Sequence, residues 1–112
     1  MATPADPGYR QHLQVLADKY RASVPQRMAA IEAALLAAGD TPGPGALEAL
    51  HESLHAVAGS AGSFGLRALG DEARRLEGLL REAMAGAWEW TAIVPQVRRY
   101  LAWAQQDPAE PF

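Results

Sequence analysis

An all-α fold, an antiparallel up-down four-helix bundle with a kinked or split N-terminal helix, is what this sequence predicts, and three observations carry it. Alanine and leucine dominate the 49 % of residues that are hydrophobic, while the β-branched and aromatic residues that favour strands are sparse. Apolar side chains recur in alternating steps of three and four over four separate stretches. The connections between stretches are short, which makes neighbouring helices antiparallel. At 112 residues the chain suits one domain with one core.

Met1 to Gly8, with Pro4, Pro7 and Gly8, reads as a flexible leader, residues 9–106 as the bundle, and Asp107 to Phe112 as a flexible tail. From about Tyr9 to Ala38 the stripe runs Leu13, Leu16, Tyr20, Val24, Met28, Ile31 and Leu35 across Pro25, one kinked helix or two. Gly39 is a helix stop, and Asp40 to Gly45 is the clear loop cluster of the domain. A second helix begins near Ala46, with Leu47, Leu50, Leu54, Val57 and Ala61 as its core face. After Gly62-Ser63-Phe64-Gly65 the rhythm resumes at Leu66, Leu69, Ala73, Leu76, Leu80 and Met84, with Arg74, Arg75, Glu77 and Arg81 off the stripe. Thr91 is the expected cap of a last helix that buries Ile93, Val97, Tyr100, Leu101 and Ala104 and tolerates Pro95 near its first turn. Trp88, Trp90 and Trp103 are expected to plug the bundle ends.

Charge and composition narrow the function. A net charge of −3 without a basic run argues against nucleic-acid and membrane partners, and leaves another protein as the expected partner. There is no cysteine, so disulfide and thiolate chemistry are excluded. The start of the chain lacks the pattern of a signal peptide and no stretch approaches a membrane span, so a cytoplasmic location is expected.

One histidine stands apart. At about 100° per residue from Leu47 the core stripe of the second helix centres near ~310°, whereas His55 falls near ~80°, toward solvent. Gly59 falls near ~120° and Gly62 near ~60° if the helix persists that far, so the surface beside His55 is bare. Each glycine inside a helix costs about 1 kcal/mol relative to alanine, which implies that something large approaches this imidazole closely. A neutral imidazole is nucleophilic enough to attack a phosphoryl donor without an activating base.

The run His55-Ala56-Val57-Ala58-Gly59-Ser60-Ala61-Gly62-Ser63-Phe64-Gly65 resembles the signature of the HPt (histidine phosphotransfer) family, with Val57, Gly59, Ser60, Phe64 and Gly65 matching its pattern. The similarity extends over roughly residues 9–105 once the flanking helices are included. It implies a carrier rather than a turnover enzyme. Nε2 of His55 would be the phospho-acceptor, relaying a phosphoryl group from a receiver aspartate of a hybrid sensor histidine kinase to a response regulator. The resemblance also implies a docking face over His51, Ala58, Gly59 and Gly62. The protein needs no cofactor of its own, the receiver bringing the Mg²⁺, and is expected to act as a monomer. Glu77 aligns with a polar residue that orients the acceptor imidazole. The departure is Ala58, where the family commonly carries a lysine; Arg74 and Arg81 are the candidate phosphoryl charge partners in its place.

Two other readings compete. An HPt-like module that binds a kinase or receiver as an inhibitor, without transfer, keeps the bundle and gains support from Ala58. His51-Glu52-Ser53-Leu54-His55 also fits the H-E-x-x-H helix of zinc peptidases, with Glu72 or Glu77 drafted as third ligand. Against it, the positions where a metzincin needs glycine and histidine are Ala58 and Ala61.

Overall fold

The computed structural model describes residues 7–112 and contains α1 (Pro7–Ala38), α2 (Pro44–Ser60), a 3-10 turn (Ala61–Phe64), α3 (Arg67–Met84) and α4 (Trp90–Gln106), with no strand among the described residues. Residues 1–6 of the expected leader lie outside that range. Its last two residues, Pro7 and Gly8, open α1 instead, a placement that suits a proline because the first turn has no use for its missing N–H.

α1 is one helix, not two. Pro25 deprives the Arg21 carbonyl of a donor but sits on the exposed side, while Val24 and Met28 on either side stay in the core. One turn earlier, Ser23 donates to the Tyr20 carbonyl at 2.6 Å and accepts from Arg27 Nε at 2.8 Å. Gly39, with φ +63°, ends α1 in the left-handed conformation that a side chain resists. α2 starts two residues before expectation, at Pro44, whose fixed φ favours the first helical position.

Each helix packs on its two neighbours in chain order and α4 closes back on α1. The directions alternate, as cross-helix pairs show. His55 meets Glu77 while Ala58 meets Arg74 across α2 and α3; Arg75 meets Gln96 while Leu69 meets Tyr100 across α3 and α4. The expected core positions Met28, Ile31, Leu35, Leu50, Leu54, Val57, Leu69, Leu76, Leu80, Val97 and Leu101 are all buried. Tyr100 donates to the Leu69 carbonyl at 2.9 Å inside the core. Burial raises the pKa of its phenol, so it remains a donor.

Several expectations are corrected at the helix ends. Leu13 and Met84 are exposed. The 32-residue α1 is nearly twice as long as the 17 residues of α2, so its first turns run past the end of its partner, and Met84 is the last residue of α3. Thr91 is not the cap of α4: the helix starts at Trp90, and Glu89 precedes it without a side-chain cap. The indole of Trp90 donates to the Gly39 carbonyl at 2.9 Å and ties the start of α4 to the end of α1. Pro95 therefore lies in the second turn, where its ring is exposed. Trp90 and Trp103 pack against the core, whereas Trp88 is exposed and bonds Glu82. Residues 107–112 form no helix, but Phe112 folds back edge-on to Trp103 with ring centroids 5.3 Å apart.

Chemical denaturation should rank the core contacts. Leu54→Ala is expected to cost about 2–5 kcal/mol, the penalty for a buried methyl cluster plus its cavity. Tyr100→Phe should cost only about 1 kcal/mol, one internal hydrogen bond, read as a lower urea midpoint at unchanged slope.

Candidate functional site

His55 stands on the solvent side of α2, its side chain 68 % exposed, in the position that the helical angle assigns to it. Facing it from α3 is Glu77, which is buried although it lies off the apolar stripe. Its Oε1 lies 2.9 Å from Nδ1 of His55. A carboxylate only accepts hydrogen bonds, so in the neutral ring Nδ1 carries the proton and Nε2 the lone pair.

The same Glu77 oxygen is shared. Arg81, one turn along α3, donates to it from Nη2 at 2.9 Å. His51, one turn before His55 on α2, brings Nε2 to 3.4 Å from it and to 3.5 Å from Arg81 Nη2. The two imidazoles lie nearly parallel, with centroids 6.1 Å apart and an interplanar angle of 11°. The bury-or-pair rule explains the cluster: a carboxylate withdrawn from water needs hydrogen-bond donors and a counter-charge, and α2 and α3 supply both.

Of the two candidate cations, only Arg81 joins Glu77. Arg74 donates from Nη2 to the Ala58 carbonyl at 3.0 Å, where a cation complements the negative C-terminal end of α2. Ala58, expected on the docking face, is 6 % exposed and belongs to the core under α3. Its angle lies between the core stripe and the His55 face, and the close approach of α3 covers it. At position 58 the backbone carbonyl is taken by Arg74.

Gly59 and Gly62 are exposed, as expected, and neither has a positive φ. A Cβ added to either would meet nothing within 4 Å. The fold itself has no need of these glycines. Gly62 lies in the 3-10 turn rather than in a continuing α-helix. That turn ends at Gly65, with φ +87°, and the Leu66 N–H returns to the Ala61 carbonyl at 3.0 Å.

Three supports were not read from the sequence. The Tyr20 and Ser60 hydroxyls lie 2.8 Å apart and pin the end of α2 to α1, and Phe64 stacks on the Tyr20 ring with centroids 4.9 Å apart. Gly70 is the third: a Cβ there would come within 3.2 Å of the Gly62 nitrogen and 3.3 Å of the Ala61 Cβ, so its bareness lets α3 press against the 3-10 turn. A glycine off the apolar stripe of a helix was the available signal for Gly70. Residues 40 apart in the chain give none for Tyr20 and Ser60.

The zinc-peptidase arrangement finds no support in this geometry. Among the described residues no group of three or more His, Cys, Asp or Glu side chains is placed to hold a metal ion. An arginine cation lies beside His51 Nε2, and Glu52 is exposed.

Fold and site together define a helical bundle that presents one carboxylate-oriented imidazole. The family model for the Hpt domain matches residues 15–107. The chain belongs to the Hpt domain family and has that family's general role, histidine phosphotransfer in two-component signalling. Hpt domains interact with receiver domains in phosphorelays. No curated protein and no solved structure matches the chain. Among the described residues no helix is long and apolar enough to cross a membrane.

The two kinds of glycine make opposite predictions. Gly59→Ala should stabilise the fold by up to about 1 kcal/mol of helix propensity, read as a higher melting temperature, because its new methyl meets nothing. Gly70→Ala should lose that gain to the crowding of Ala61 and Gly62. Thermal melts of the two variants side by side check this.

Proposed function

We propose that His55 is the phospho-acceptor of a relay between two receiver aspartates. Nε2 attacks the phosphorus of an aspartyl phosphate on the receiver of a hybrid sensor histidine kinase. The N–P bond forms, the P–O bond to the aspartate breaks, and the carboxylate leaves. The ring gains positive charge as this happens, and Glu77, 2.9 Å from the opposite nitrogen, stabilises it in place. The reverse step on the aspartate of a response regulator returns the ring to its neutral state. The receiver contributes its aspartate and Mg²⁺, and this chain contributes the nucleophile.

The observation that carries the reading is an imidazole open to solvent, one nitrogen held by a buried carboxylate, beside Gly59 and Gly62, which no internal contact requires. The receiver docks over those two glycines and the edge of His51, as a monomer-to-monomer encounter in the cytoplasm. Arg74, held at the Ala58 carbonyl, is the cation nearest the position that the family's lysine would occupy, and it takes the role of phosphoryl charge partner.

Incubation with a phosphorylated receiver should label the protein with acid-labile, base-stable phosphate. His55→Gln should abolish the label with helicity intact, and Glu77→Ala should slow its transfer by about 10²-fold, the loss typical of a displaced reacting group. A protein that binds the receiver but never takes the label is the inhibitory module instead. Gly59→Trp should abolish receiver binding while the circular-dichroism spectrum stays that of the wild type; unchanged affinity would move the docking face elsewhere.

A further inference from the structure

We infer that Arg81 and His51 are positioning residues that hold the Glu77 carboxylate against Nδ1 of His55 and thereby decide which ring nitrogen of His55 is free. The inference rests on the transfer role proposed above and adds the groups standing behind Glu77. It assigns Arg81 a task other than contact with the phosphoryl group.

The geometry is a chain of donors and acceptors with few alternatives. Nη2 of Arg81 carries two hydrogens. One goes to Glu77 Oε1 at 2.9 Å, and His51 Nε2 lies 3.5 Å from the same Nη2 and 3.4 Å from the same Glu77 oxygen. The hydrogen on Nδ1 of His55 takes a second lone pair of the same Glu77 oxygen, at 2.9 Å. A glutamate side chain has three rotatable bonds, and here its position is fixed by Arg81 from its own helix and His55 from α2. His51 closes the array from one side, its ring nearly parallel to that of His55.

The consequence is chemical. Which nitrogen of a neutral imidazole carries the proton is set by the hydrogen bond that the other nitrogen makes. With Glu77 in place the proton stays on Nδ1 and the exposed Nε2 is a nucleophile. With Glu77 free to turn away, a share of the molecules carries the proton on Nε2 and cannot attack. Arg81 and His51 reach the reaction only through Glu77.

The test uses the full chain and phosphoramidate, a small donor that needs no receiver: Nε2 forms a bond to phosphorus, the N–P bond of the donor breaks, and ammonia leaves. Nitrogen NMR of the imidazoles, with His55→Gln for assignment, should show a protonated Nδ1 and a bare Nε2 on His55 in the wild type. Arg81→Gln should give a mixture of the two tautomers and slow phosphorylation on the order of 10- to 100-fold. Arg81→Lys, which keeps a cation one turn from Glu77, should restore most of both. His51→Phe, which keeps the ring but not its nitrogens, should shift both in the same direction by less. An unchanged tautomer in Arg81→Gln overturns the inference, and a slow rate with an unchanged tautomer overturns it too, because Arg81 then acts on the phosphoryl group directly. If the wild type takes no phosphate from any donor while the tautomer still responds to Arg81, the orientation stands and the transfer role fails.

Discussion

The packing of α3 against α2 is the constraint on which the site depends, because His55 sits on one helix and the carboxylate that meets its ring, Glu77, on the other. A shift of α3 by one residue would rotate Glu77 by about 100° and carry it away from the imidazole. The register is set by apolar contacts among Leu50, Leu54, Val57, Leu69, Ala73, Leu76 and Leu80, and by the closeness that Gly70 permits. The core therefore does more than stabilise. It places one oxygen of one side chain against the ring of His55.

The two carboxylates of α3 that are buried show how such groups are accommodated. Glu72 is met by Arg75 through paired guanidinium bonds, and Arg75 also reaches Gln96, so that ion pair joins α3 to α4. Its hydrogen bonds to Glu72 raise the pKa of Arg75. Glu77 is met by Arg81 and by the imidazoles of α2. The first pair ties α3 to α4 and the second meets the imidazoles of α2, although sequence spacing alone makes both look like ordinary surface pairs.

Much of the fold was legible because a bundle helix has one buried stripe, and a stripe in steps of three and four names its own core. The exposure of His55 followed from the same angle, since it lies far round from Leu50 and Leu54. Less was legible at the margins of the stripe. Ala58 sits between the two faces, and only the distance to α3 decides which one claims it. Leu13 keeps perfect rhythm on a helix that outruns its partner, and periodicity carries no information about where a neighbour ends. That Glu77 would face His55 was visible through the family resemblance alone. Its sharing with Arg81 and His51 depends on two helices meeting, and no local pattern encodes that.

The length of α1 has a consequence of its own. Tyr20 is level with the end of α2, where it meets Ser60, so the dozen or so residues before it extend a helix already nucleated inside the bundle. Gln11 to Val15 are exposed on every side, so their helicity is inherited from the bundle rather than secured by burial. Such a segment adds reach without adding to the cooperativity of unfolding. Fraying of that segment would break none of the contacts between α2 and α3 that hold the imidazole against its carboxylate.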